Sequence, residues 1–155
     1  MALRFLIALF CLVTAGLTLV PLTALADGDP ASDYLYTGKV FTPAGAQRTQ
    51  VAQLRHVVAT ANSAGESVRV AVVGSPYDLG SVTALWAKPR LYARFLGAEL
   101  SSRYRGLVLV VMPAGLGLYH HGLSVIRQQS ALADIHPGTG TPQLIRAAEA
   151  AIAAV

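Results

Sequence analysis

The sequence predicts an α/β fold, a three-layer α/β/α sandwich whose mixed sheet has two parallel core strands and an antiparallel hairpin strand. The uninterrupted apolar run Leu107–Met112 supports this prediction, and a second run, Val68–Val73, has nearly the same character. Such runs are typical of strands that are buried on both faces. About thirty residues of helical pattern separate them, the length that a right-handed crossover between parallel strands needs.

The first residues have the features of a secretory signal peptide. Arg4 supplies a positive charge, Phe5–Val20 is apolar, and Ala24-Leu25-Ala26 is a cleavage site of small residues. We therefore expect residues 1–26 to be removed after Ala26 and the protein to be secreted or extracytoplasmic. The alternative is an uncleaved segment that holds the protein at the membrane, because the apolar stretch is almost long enough to span a bilayer.

Composition restricts the chemistry that the mature chain can use. The only cysteine, Cys11, lies in the predicted signal peptide, so we expect no disulfide, no iron–sulfur cluster and no cysteine nucleophile in the mature chain. The net charge of +4 falls to about +3 without Arg4, which is typical of a solvated, mildly basic surface. The alternative is a basic face for an anionic partner, which outside the cytoplasm means lipid head groups or a wall polyanion and not nucleic acid.

Residues 27–46 are predicted to be a loose polar leader with a short edge strand. Tyr34, Tyr36 and Val40-Phe41 supply its apolar positions, and Pro43 ends it. The rest of the chain, residues 47–155, is predicted to form the α/β domain. Its first helix is Gln47–Asn62, which has one apolar stripe.

Local signals mark both ends of this helix. Thr49 or an earlier residue is expected to cap its start, and Gly65 to end it in a left-handed conformation. The strand Val68–Val73 follows.

The loop Gly74–Gly80 follows the first core strand. It therefore lies at the carboxyl ends of the parallel strands, where open α/β sheets bind ligands. It has neither the Gly-Lys-Ser/Thr of a phosphate-binding loop nor the glycine pattern of a dinucleotide site. The simpler interpretation is that Asp78 or Ser81 caps the next helix. The functional interpretation is a ligand or partner contact that uses Ser75 and Asp78.

After this loop the sequence predicts one or two helical turns and then a helix that opens with Pro89 and runs to about Ser101. Leu91, Phe95 and Ala98 are among the residues expected to pack on the sheet. The basic residues of this region are Lys88, Arg90, Arg94, Arg103 and Arg105.

These five basic residues are predicted to be a solvated face or a contact for an anionic membrane or wall polymer. The helix is about 18 Å long, which exceeds the Debye length of about 8 Å at physiological salt. We therefore expect no tight binding of a small anion by the whole cluster.

The central strand Leu107–Met112 is followed by a tight turn and a returning strand, Leu116–His121. This hairpin places His120 and His121 at the end of the sheet opposite the loop Gly74–Gly80, so that we do not expect an Asp78–His120 catalytic pair. A helix over Leu123–Ala133 follows, and a last helix is capped by Thr141 and opened by Pro142.

No catalytic motif stands out in this sequence. The four histidines lack a metal-binding spacing, and Gly122-Leu123-Ser124-Val125-Ile126 lacks the second glycine of a nucleophile elbow. We expect no metal and no cofactor, and a non-catalytic interaction domain. The alternative is a weak phosphomonoesterase in which Ser75 supplies a hydroxyl, Asp78 a base and the following helix N-terminus an anion site.

The order of the elements resembles that of the TPM domain family, extracytoplasmic α/β domains of bacterial envelopes and thylakoids. The matching residues are Arg69–Val73, Tyr92–Leu96, Arg105–Val111 and Gly122. The resemblance implies a compact sandwich associated with an envelope protein or complex, and it implies weak acid phosphatase activity as proposed for plant relatives. The leader at Asp29-Pro30 departs from the start of such domains, and the sequence lacks the C-terminal membrane helix that often tethers them.

Overall fold

The computed structural model of the chain describes residues 28–155. The predicted signal peptide, residues 1–26, lies outside the described residues. The helices and strands are α1 (Pro30–Thr37), β1 (Val40–Phe41), α2 (Arg48–Ser63), β2 (Val68–Val72), α3 (Pro89–Glu99), β3 (Leu107–Met112), β4 (Gly115–His120), α4 (Ile126–Ala131) and α5 (Thr141–Ala154). Two 3-10 helices, Pro76–Leu85 and Leu100–Ser102, flank α3.

The sheet has the order β1-β2-β3-β4. β2 and β3 are parallel neighbours, with Val68 opposite Leu107, and β1 lies parallel on the other side of β2. β4 returns antiparallel to β3, with Met112 opposite Gly115. This topology confirms the predicted α/β class, the parallel core strands and the hairpin.

The core strands are buried on both faces, as their apolar sequence predicts, and Arg69 of β2 is half-buried. On one face, Val70, Val72, Leu109 and Val111 pack with residues of α2 and α5. On the other face, Ala71, Val73, Val108, Val110 and Met112 pack with residues of α1, the first 3-10 helix and α3. Helices therefore cover the sheet on both sides.

Two glycines allow α3 to approach the sheet closely. A Cβ atom at Gly97 would lie 2.0 Å from a ring carbon of Tyr119, and one at Gly117 would lie 2.1 Å from the carbonyl oxygen of Pro89. Both approaches are shorter than any side chain tolerates, so they fix which side of α3 faces β4.

This orientation corrects the predicted packing of α3. Tyr92, Ala93, Leu96 and Gly97 are the buried residues of the helix, whereas Leu91 and Ala98 are exposed and Phe95 is half-buried. The prediction that Leu91 and Ala98 pack on the sheet is therefore wrong. The apolar stripe alone does not determine which side of α3 faces the sheet. That side also includes Gly97, which an apolar pattern does not mark.

The loose leader predicted for residues 27–46 is wrong for residues 30–37, which form α1 and bury Ala31 and Leu35. Only Val40 and Phe41 of the predicted edge strand form a strand. The Asp-Pro pair at the start of α1 is itself a helix start signal, with aspartate as the cap and proline in the first turn.

Some helix ends are confirmed and others are corrected. Gly65 adopts the left-handed conformation, with φ of 99°, after α2. The N-cap position of α2 is Gln47, which agrees with the expectation of Thr49 or an earlier residue, although its side chain makes no capping hydrogen bond. Thr141 does not cap α5, because the N-cap position there is Gly140. The helix predicted over Leu123–Ala133 is shorter, and only Ile126–Ala131 is helical.

Candidate functional site

The loop that follows β2 is held by one carboxylate. Asp78 Oδ2 accepts hydrogen bonds from the backbone amides of Gly74 (2.9 Å) and Ser75 (2.8 Å) and from the Ser75 hydroxyl (3.2 Å). Ser75 and Asp78 form a capping box at the start of the first 3-10 helix. Asp78 therefore takes part in capping, as predicted, but as the third residue of the helix, since the N-cap is Ser75 and not Asp78 or Ser81.

This geometry also brings Ser75 and Asp78 together, as a nucleophile and its base require. The same carboxylate oxygen already serves two backbone amides, however, and the loop Gly74–Gly80 carries no lysine or arginine for a phosphate ester. Neither residue lines the two cavities described below. The pair is therefore better suited to stiffening the loop than to hydrolysis.

A buried carboxylate that the sequence interpretation missed lies beside this loop. Asp29 is 4% exposed and is the one charged residue that is buried among residues 28–155. It accepts hydrogen bonds from the amides of Ala31 (3.3 Å) and Ser32 (3.2 Å) and from the Tyr92 hydroxyl (2.6 Å). The contact joins the start of α1 to α3.

Burial changes the protonation behaviour of this pair. It raises the pKa of Asp29 above the usual 3.8, against the opposing effect of the hydrogen bonds from Tyr92 and the two backbone amides. Burial also raises the pKa of Tyr92, and the hydrogen bond to Asp29 raises it further. The tyrosine hydroxyl therefore keeps its proton and donates a hydrogen bond to the carboxylate.

The five basic residues of the predicted cluster separate in the structure. Lys88, Arg90 and Arg94 line a groove beside β4. At the other end of α3, the Arg103 guanidinium lies over the ring of Tyr36, 4.9 Å from its centroid, and its hydrogen bond lowers the pKa of that tyrosine. Arg105 is exposed in the turn before β3. Three of the five therefore share one site, and two lie outside it.

We call the cleft between α3 and α4 the β4 groove. It consists of two neighbouring cavities of about 410 Å³ and 580 Å³, which share Arg90, Leu91, Gln129 and Ala133. One wall carries Lys88, Arg90, Leu91 and Arg94, the other carries Val125, Ile126, Ser130 and Ala133, and Leu116, Leu118 and Gln129 lie between them.

The β4 groove is both apolar and positively charged. Leu91 is 48% exposed and Ile126 is 75% exposed, although both are large apolar residues. None of the described residues that line its two cavities is acidic. An anionic partner with apolar side chains would therefore complement both properties of the groove.

The side chain of Gln129 covers part of the edge of β4. Its Oε1 accepts a hydrogen bond from the Leu118 amide (3.0 Å), and its Nε2 donates to the Leu116 carbonyl oxygen (3.3 Å). Edge strands commonly carry devices that prevent unwanted pairing. Nothing in the local sequence around Gln129 indicates this role, because the contact depends on the fold.

His120 lies apart from the loop at Asp78. His120 pairs with Leu107 at the far end of β3, which confirms the predicted separation from that loop. Its Nδ1 lies 3.1 Å from the carbonyl oxygen of His121. Within residues 28–155, no group of three or more metal-binding side chains is placed to hold an ion.

Comparison of the chain with models of protein families, with characterised proteins and with solved structures found no match. The resemblance to the TPM domain family therefore stays a prediction that rests on the residues quoted for it. No helix within residues 28–155 combines the length and the apolar character needed to cross a membrane.

Proposed function

We propose that this protein is a non-catalytic interaction domain, secreted or associated with the cell envelope, that binds another envelope protein through the β4 groove. The observation that carries the proposal is the combination of Lys88, Arg90 and Arg94 with exposed apolar side chains in one open cleft. Arginine and exposed apolar residues are typical of the centre of protein interfaces.

The charges on α3 support a partner at this position. Arg90 and Arg94 are one helical turn apart, and like charges at this spacing destabilise a helix by a few tenths of a kcal/mol. A partner carboxylate between them would replace this repulsion with attraction. The exposed Leu91 lies between the two arginines in sequence and lines the same cavity.

The hydrolase alternative has weaker support. The Ser75–Asp78 hydrogen bond is compatible with it, but Asp78 would have to release the amides of Gly74 and Ser75 to accept a proton freely.

Site-directed photocrosslinking tests the proposal. A photoreactive residue at Ile126 should crosslink one identifiable envelope protein in intact cells, because the native side chain is 75% exposed in the groove. The double variant Arg90→Glu and Arg94→Glu should reduce this product by about tenfold or more, because it places like charges opposite the partner.

The matched control reverses two other exposed arginines, Arg48 and Arg146, which lie on α2 and α5 over the opposite face of the sheet. It makes the same change in net charge and should leave the crosslink intact. Equal loss in both double variants would mean that overall charge, and not the β4 groove, attracts the partner.

A second measurement separates a protein partner from a membrane or wall polymer. Retention on anionic vesicles at low salt should be no weaker in the Arg90/Arg94 variant than in the Arg48/Arg146 variant. Loss of retention only in the Arg90/Arg94 variant would assign the groove to a membrane surface instead.

A further inference from the structure

We propose that the β4 groove binds an extended, acidic peptide segment of the partner as a fifth strand of the sheet, and that this strand displaces the Gln129 amide. The inference rests on the proposed function, because it specifies how the partner would bind. It follows from the edge of β4, the two walls of the groove and their charges.

The hydrogen-bonding groups of β4 alternate in direction. In an antiparallel strand, successive residues direct their amide and carbonyl groups to opposite sides. Gln129 binds the Leu118 amide and the Leu116 carbonyl from the side away from β3, so these two residues present their polar groups at the groove. A neighbouring strand would use the same groups.

The Gln129 side chain occupies the place of such a strand. Its amide has one acceptor and one donor in use, and these are the two kinds of group that a peptide backbone offers. An incoming strand would replace these two side-chain hydrogen bonds with two backbone ones. The exchange keeps the β4 edge satisfied and leaves the Gln129 amide free to bind water.

The walls of the groove determine what the strand should carry. Side chains of an extended peptide alternate between two directions, so every second residue would face each wall. The α3 wall presents Arg90 and Arg94, whereas the α4 wall presents Val125 and Ile126. The matching segment therefore alternates acidic residues with apolar ones.

The charges also argue against a second copy of this chain as the occupant. Two copies paired through their β4 edges would bring two sets of Arg90 and Arg94 to one interface, and like charges repel there. An acyl chain would complement the apolar wall, but it cannot form hydrogen bonds with the amide of Leu118 or the carbonyl oxygen of Leu116.

Synthetic peptides test this mode of binding directly. The probe is a peptide of about seven residues, close to the length of β4, that alternates glutamate with valine and has blocked ends. It should bind the wild-type protein, whereas the equivalent lysine–valine peptide should not. The Arg90→Glu/Arg94→Glu variant should bind the glutamate peptide at least about tenfold more weakly, and the Arg48→Glu/Arg146→Glu variant should bind it as the wild type does.

N-methylation distinguishes strand pairing from simple occupation of the groove. Methylating every second backbone amide on one side of the peptide should abolish binding, whereas methylating the other side should change it less than about threefold. NMR should show the Leu118 amide remaining hydrogen-bonded while the Gln129 side-chain amide moves toward a solvent-exposed shift. Equal effects of the two methylated peptides would overturn the inference.

The role of Gln129 has its own test. Gln129→Ala removes the competing amide and should bind the glutamate peptide at least as tightly as the wild type. If that variant does not fold, Gln129→Asn is used in its place, because its side chain is one methylene shorter and its amide does not reach the two backbone groups of β4. Loss of peptide binding in a folded variant would mean that Gln129 holds the ligand, which overturns the displacement.

The outcomes separate this inference from the proposed function. If the wild type binds no glutamate peptide but its cellular crosslink still depends on Arg90 and Arg94, strand addition is wrong and the interaction surface stands. If neither the peptide nor the crosslink depends on these arginines, both proposals fail.

Discussion

Replacing Tyr92 by phenylalanine should destabilise the fold far more than the loss of one hydroxyl at the surface would. The ring stays in the core of the α3 face, so packing is conserved. What disappears is the donor of a 2.6 Å hydrogen bond to Asp29, a carboxylate that is only 4% exposed. The variant leaves that carboxylate with its two backbone amide donors alone.

The expected cost follows from the character of this hydrogen bond. Hydrogen bonds to charged groups contribute about 1.5–3 kcal/mol, roughly twice the value for neutral pairs. We therefore expect Tyr92→Phe to lower the free energy of unfolding by about 2 kcal/mol. For a domain of this size, that change moves the urea midpoint by about 1 M.

Urea unfolding at neutral pH measures this change, and Tyr77→Phe provides the control. Tyr77 is 91% exposed, so its substitution should change the free energy of unfolding by less than about 0.5 kcal/mol. Equal effects of the two substitutions would refute the argument. Amide hydrogen exchange at Ala31 and Ser32 should also become faster in Tyr92→Phe, because Asp29 caps α1 through these amides.

The same pair predicts a pH dependence. Burial raises the pKa of Asp29 in the folded state above 3.8, so the folded protein binds this proton more tightly than the unfolded chain does. The stability that the protonated Asp29 contributes is therefore full below about pH 3.8 and is lost as the pH rises through the folded-state pKa. The free energy of unfolding of the wild type should fall relative to that of Asp29→Asn over this range, and an unchanged difference would contradict the burial argument.

Three further results are expected. Asp78→Ala should lower the free energy of unfolding by about 1–2 kcal/mol, measured by urea unfolding, because the amides of Gly74 and Ser75 lose their acceptor. Gly97→Ala should cost about 1–3 kcal/mol in the same assay, since its Cβ would lie 2.0 Å from the Tyr119 ring, and a neutral result would show that α3 can move away. Hydrolysis of a generic phosphate ester should be equally slow for the wild type and Asp78→Asn, whereas activity lost in the variant would favour the hydrolase alternative.

Much of the fold could be predicted because its signals are local. The run around Leu109 has no polar position and the run around Val70 has only Arg69, and such sequences are typical of strands with both faces covered. Pro89 begins α3, and Gly65 ends α2 with a positive φ. Each of these signals acts within a few residues, so it can be recognised in the sequence without knowledge of the tertiary structure.

The candidate site was only partly predictable. The capping role of Asp78 involves residues three and four positions away, and the sequence indicates it directly. The burial of Asp29 depends on Tyr92, which is 63 residues later, and the Asp-Pro signal at the start of α1 does not reveal that partner. The length of the predicted helix indicates that Lys88, Arg90 and Arg94 lie apart from Arg103 and Arg105, but it does not reveal that the first three residues line a groove with α4.

The sequence alone therefore determines the class of fold, the parallel core strands, the hairpin and the starts of α2, α3 and α5, since these follow from hydrophobic pattern and short-range signals. The tertiary structure alone decides which side of α3 meets the sheet, because Gly97 and Gly117 permit a close approach only when the two elements are already packed. It also decides that Leu91 faces the β4 groove and that Gln129 covers the edge of β4. These features depend on contacts between segments that are distant in the sequence, and no local sequence pattern indicates such contacts.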